Sequence, residues 1–163
     1  MSSLTATSAD HLARMQPHVD RLIVLAEMIG IEDCSAIHVA FDEEYAFIAG
    51  QLVPHIQAVE GTLYTELERL MGGRHSMTPM REEHATVNRL IDELGQYRDH
   101  VEGCGWSAVE GLALRRALFR LHSILKVHLA EEELYLGVLD RNLSDDEKDR
   151  LARGIDHAIL TPL

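Results

Sequence analysis

His11, His55, His84 and His128 each fall on the inward stripe of a different helical pattern, among residues that are otherwise mostly aliphatic. An imidazole in an apolar core is costly unless its ring nitrogens are bound. One such residue is ordinarily a hydrogen-bonded core histidine, but four at a common height point to a metal ion. The heights follow from counting toward the end where the first and second, and the third and fourth, helices connect. His55 lies 20 residues after Ser35, His128 lies 21 after Ser107, His84 lies 17 before Val101 and His11 lies 18 before Ile29. At about 1.5 Å of rise per residue the spread is roughly 6 Å. His18, 11 residues from that end, would sit about 10 Å away, so His11 is preferred to it as the ligand from the first helix.

Carboxylates complete the set. Glu132 follows His128 by four residues, which leaves both on one helix face, one turn apart. Glu131 is the alternative, roughly 60° off on the other side. Ferrous and ferric ions accept imidazole together with carboxylate oxygen, and a bridging carboxylate can hold two metals close together. His122, six before His128, and Tyr45 stand at a height similar to His18. A hydrogen-bonded or partly exposed trio is the preferred reading for that second polar layer, with His122 and His18 kept as alternative ligands. His38, His75, His100 and His157 lie near helix ends or loops and are expected to be solvated.

The elements that must position these residues are helical throughout, since apolar residues recur with a 3.6 period and no segment alternates like a strand. The first helix is predicted from about Ser8 to Ile29, with Gly30 as its stop and Pro17 as a kink or a true start. The second runs from about Ser35 to Met71 before Gly72-Gly73, and Pro54 inside it predicts a bend. The third opens at Thr78 and Pro79 and ends near Gly103. The fourth starts behind the capping box Ser107 to Glu110, and a second box, Ser144 to Glu147, starts a short fifth helix. Leu151, Ile155 and Ile159 of that last helix would close one end of the assembly. Short loops between long helices favour an all-α, antiparallel up-down-up-down four-helix bundle over residues 8–142, with a C-terminal helix over 144–160, in one domain spanning 1–163.

Composition narrows the partners. Fifteen basic against 27 acidic residues give a formal charge of −12, which repels phosphate backbones and anionic lipid alike. Nucleic acid and membrane are therefore not expected as partners. No apolar run approaches the roughly 20 residues of a membrane span, and the N-terminal residues lack the pattern of a secretory signal, so a cytoplasmic location is expected. Cys34 and Cys104 fit no zinc spacing and are expected as free thiols in a reduced compartment. They fall in two connections at the same end, so a disulfide is the alternative.

The stretch His55-Ile-Gln-Ala-Val-Glu-Gly-Thr-Leu-Tyr64 resembles the second-helix signature of hemerythrin-like (HHE) domains. His128-Leu-Ala-Glu-Glu-Glu-Leu-Tyr135 is similar to its repeat in the fourth helix, and Met80-Arg-Glu-Glu-His84 to the family's opening of the third. The resemblance covers roughly residues 10 to 142 and implies a non-haem iron site, two ions in the usual form and one possible here. The family's bridging carboxylate, four after the second-helix histidine, is here Val59, and the second histidine of the third helix is Asn88. Glu60 lies about 140° around the helix from His55 and would reach the site only if a bend or bulge turned it inward. With that turn, the expected metal ligands are His11, His55, Glu60, His84, His128 and Glu132.

The resemblance implies a protein that binds or reacts with a small ligand: dioxygen, peroxide or nitric oxide. An enzymatic version would be peroxide disproportionation or another oxidase-like step. Two other classes are an iron storage or delivery bundle, which would need matched Glu-x-x-His pairs that this chain lacks, and a metal-free helical interaction module.

Overall fold

The computed structural model describes residues 4–101, 103 and 105–160, with the side chains of 4–11, 99, 101 and 158–160 outside the description. The described residues are helical and contain no strand. Helix α1 spans Leu4–Met28, and Pro17 lies within it without ending it. Gly30, at φ 84, is in the left-handed region that stops the helix.

The second predicted helix is present but irregular at two places. Asp33 caps α2 (Cys34–Phe47) by accepting from the Ala36 N–H at 3.0 Å. A π-turn follows at Ile48–Leu52, then α3 (Val53–Gly61) and α4 (Leu63–Leu70). The predicted Pro54 bend takes the form of this π-turn. Proline has no N–H and its ring clashes with the carbonyl four residues back. The wider turn, closed by the Val53 N–H on the Ile48 carbonyl, lets Pro54 stand in the first turn of a new helix, where a missing donor costs nothing. A second break lies at Thr62, with φ −120 and ψ −73. There the Thr62 hydroxyl donates to the Ala58 carbonyl at 2.6 Å.

Helix α5 covers Thr78–Val101 and α6 Ala108–Asn142. The Ser107–Glu110 capping box forms in both directions. Glu68 of α4 fixes the start of α5: it accepts from the Met77 N–H at 3.0 Å and pairs with both Arg81 terminal nitrogens at 2.6 and 3.2 Å. Helix α7, Asp145–Leu160, begins where the Ser144 N–H donates to Glu147 at 2.9 Å. It packs mainly along α3, across the Thr62 break, with Gly154 facing the Thr62 methyl. Ile155 is buried and Leu151 partly so; the Ile159 side chain lies outside the described residues.

Helix α1 packs most extensively on α6, which also packs on α5, while α2 meets α1 and α5. Apolar residues from these helices and from α4, Met15, Leu22, Leu63 and Leu121 among them, form one buried core. Cys34 is disulfide-bonded, a correction to the free thiols expected from sequence. That expectation rested on an assumed reducing compartment and not on geometry. Cys104, the sequence's only other cysteine, lies outside the described residues. No helix among the described residues is long and apolar enough to cross a membrane.

Candidate metal centre

Apart from Glu44, the buried polar residues among the described ones are His55, His84, His128 and Glu132, and they meet. His55 Nε2 lies 3.2 Å from Glu132 Oε2, His128 Nε2 lies 3.6 Å from the same oxygen, and the Nε2 atoms of His84 and His128 are 2.9 Å apart. Tyr64, with no exposed surface, brings its hydroxyl to 3.3 Å from His84 Nε2 and 3.4 Å from His128 Nε2.

Carboxylates stand behind two of these rings. His84 Nδ1–H donates to Glu60 at 2.7 Å, and His128 Nδ1–H donates to Glu83 at 2.7 Å. Each histidine is thereby matched with a carboxylate from another helix. Glu60 of α3 holds His84 of α5, Glu83 of α5 holds His128 of α6, and Glu132 of α6 meets His55 of α3, a closed ring of three elements. Holding Nδ1–H fixes the tautomer that leaves Nε2 free as a metal donor.

The electrostatics follow from burial and these contacts. Burial and the neighbouring His128 push the His84 imidazole down to about 4, so it is neutral near pH 7. Burial also opposes a charge on His128, but Glu132 and Glu83 outweigh it and raise that imidazole above its ordinary value. For Glu132, burial works to raise the carboxyl, yet His55 and His128 together hold it well below the ordinary carboxylate range. Burial, with Glu132, Glu60 and Glu83 nearby, pushes the Tyr64 hydroxyl far above its usual value.

The donors lie against one another, so no group of three or more His, Cys, Asp and Glu side chains among the described residues forms a ready-made metal position. Their separations are nonetheless those of neighbouring ligands. Donors about 2.1 Å from one centre stand about 3.0 Å apart at right angles and about 3.4 Å apart at tetrahedral angles. The observed 2.9 to 3.6 Å spans that range. With imidazole nitrogen and carboxylate oxygen as donors and second carboxylates behind two rings, the residues fit a first-row transition metal.

Of the sequence-predicted site residues, His55, His84, His128 and Glu132 are brought together. Glu60 is placed on the outer, Nδ1 side of His84 with its side chain 38% exposed, away from the converging Nε2 atoms. His11 is in α1, but its side chain lies outside the described residues. His18 belongs to a different cluster, stacked on Phe47 at 4.3 Å and 3.3 Å from Glu44, which Arg21 also pairs at 2.7 Å. His122 is half-buried on α6 and close enough to Asp20 of α1 to act on its charge. Glu131 is half-buried on α6 beside the site-facing stripe. Val59 is buried in the core and Asn88 is exposed.

Two site neighbours escaped the reading of spacing: Tyr64 and Glu83. Nine residues from His55, Tyr64 would point to the opposite face of a regular helix, and the Thr62 break re-aims it. Glu83 adjoins His84 in sequence but serves His128. Its signal was its place beside a core histidine, on the edge of the buried stripe.

No curated protein and no solved structure matches the chain. The hemerythrin HHE cation binding domain matches residues 14–139, a span that holds every member of the histidine–carboxylate ring, and the chain belongs to that family.

Proposed function

We propose that this chain is a non-haem iron protein in which Nε2 of His55, His84 and His128 and the Glu132 carboxylate hold the ion, and that it binds or reacts with a small ligand such as dioxygen, peroxide or nitric oxide. The observation that carries the reading is the convergence of three imidazole nitrogens and a carboxylate oxygen among fully buried residues. Bound there, iron would supply a change of oxidation state and a coordination position for a small ligand. The protein's own residues do the rest. Glu60 and Glu83 orient two rings, Glu132 contributes the negative charge that a multivalent cation needs, and burial of all four donors excludes bulk water and any large substrate.

The described donors support one ion position. A second ion would draw on His11 of α1, with Glu60 first released from His84. The framework proposed is an antiparallel up-down-up-down four-helix bundle, its corners α1, the α2–α4 segment, α5 and α6. The packing of α6 on α1 and α5, and of α2 on the same two helices, supports it.

The test is the iron content of protein purified without chelator or histidine tag. His55→Ala, His84→Ala and His128→Ala should each lower iron sharply, and His157→Ala, at an exposed position of α7, should not. Equal iron in all four variants would sink the assignment.

A further inference from the structure

We infer that Tyr64 is a further protein ligand to the metal, through its phenolate oxygen; this rests on the iron site proposed above and goes beyond its four donors. Among the described residues, the Tyr64 hydroxyl has only His84 Nε2 and His128 Nε2 as hydrogen-bond neighbours. Glu60 and Glu83 hold the Nδ1–H of these two rings, so both Nε2 atoms and the Tyr64 oxygen face one another. With an ion held at the proposed site, both Nε2 lone pairs would face the cation and neither could accept from Tyr64. A completely buried hydroxyl would then lack an acceptor, which is rare and costly, unless its oxygen serves the cation directly.

The placement fits that role. The phenol oxygen and the two Nε2 atoms form a triangle with edges of 2.9, 3.3 and 3.4 Å, the dimensions of one face of a coordination polyhedron with donors about 2.1 Å from the centre. Tyr64 also supplies what its own segment otherwise lacks. The residue one turn after His55 is the apolar Val59, and Glu60 is turned to the outer side of His84. The Thr62 break, which α7 packs across, rotates Tyr64 back toward the pocket. As the oxygen–metal bond forms, the hydroxyl proton leaves to solvent and the anionic oxygen adds one negative charge to that of Glu132.

The experiment is visible absorption and resonance Raman spectroscopy of the iron(III)-loaded protein beside its measured iron content. A phenolate ligand gives a charge-transfer band in the visible and enhances tyrosinate ring vibrations, which imidazole and carboxylate ligands cannot do. The wild type should show both, and Tyr64→Phe should lose both. A variant with Tyr45, Tyr97 and Tyr135 changed to Phe should keep them, so the assignment stands even if Tyr64→Phe folds poorly. Iron-loaded wild type without tyrosinate vibrations, or with vibrations that survive Tyr64→Phe, would overturn the inference and leave the four-donor site standing. A wild type that takes up no iron would overturn both.

Discussion

Helix α6 delivers His128 and Glu132 from 35 uninterrupted residues, whereas the segment from Cys34 to Leu70 delivers His55, Glu60 and Tyr64 through three helices, a π-turn and a break. In α6 the four-residue spacing alone aims both side chains at one point. In the broken segment, spacing would put Glu60 about 140° and Tyr64 about 180° away from His55, yet Tyr64 enters the pocket and Glu60 reaches its edge. A regular helix can offer only i, i+3 and i+4 neighbours to one site. Local departures from the α-helix let one segment surround a site from several angles, which is where π-turns recur in proteins.

That contrast can be broken at either side. The largest effect should come from deleting Ala130, which rotates Glu132 about 100° away from His128 and should lower iron affinity by more than about 100-fold. Deleting Gly50 together with Pro54→Ala should instead let the π-turn close into an ordinary α-turn. The register of α2 and α3 is then kept, and affinity should stay within a few-fold of wild type. Metal titration of both variants checks the pair. Similar losses in the two would mean that the π-turn does not act as a register buffer.

The orienting carboxylates should matter less. Glu60→Gln and Glu83→Gln each remove a charged acceptor from an Nδ1–H while leaving an amide in its place, and each should weaken iron binding by about 10- to 100-fold. A competition titration against a chelator reads this. Unchanged affinity in either variant would make that carboxylate an incidental surface contact.

Smaller again is the pH dependence of the metal-free protein. His84 is held near 4 against an ordinary 6.5, so the unfolded chain binds a proton that the folded one refuses between those values. This contribution is complete above about pH 6.5 and is lost as pH falls toward 4, on the order of 3 kcal/mol. Glu132, held low, acts in the same direction, and its contribution is lost only below the ordinary carboxylate range. His128, held high, acts oppositely: it stabilises below about 6.5 and loses that contribution as pH rises through its raised value. Urea unfolding of metal-free wild type and His84→Leu at pH 7 and pH 5 isolates the first effect, since the variant should lack most of the decline. The smallest effect concerns the cysteine pair: thiol titration of the unreduced protein should find none, and two after reduction.

Much of this was legible in the amino-acid order because helices α1, α5 and α6 obey simple rules. The Ser107 capping box, the Gly30 stop and the inward positions of His84, His128 and Glu132 all follow from period and end signals. Pro54 announced an irregularity, but proline alone does not tell a kink from a π-turn with a fresh helix start. Thr62 carried no such warning, because threonine is tolerated in helices and the break depends on its hydroxyl bond to Ala58 and on α7 packed across it. Tyr64 and Glu60 lie on either side of that break, so their destinations required the tertiary structure. The Cys34 disulfide was open for a different reason: sequence spacing shows which cysteines lie at one end, and the redox setting decides whether they join.

In the proposed site one iron ion sits where three helices bring His55, His84, His128 and Glu132 together. Anomalous diffraction at the iron edge from crystals of the iron-loaded protein tests it most directly. The expected result is a strong peak within bonding distance of those three Nε2 atoms and the Glu132 carboxylate. A peak at the His18–Glu44 cluster, or none in a protein that carries iron, would contradict it.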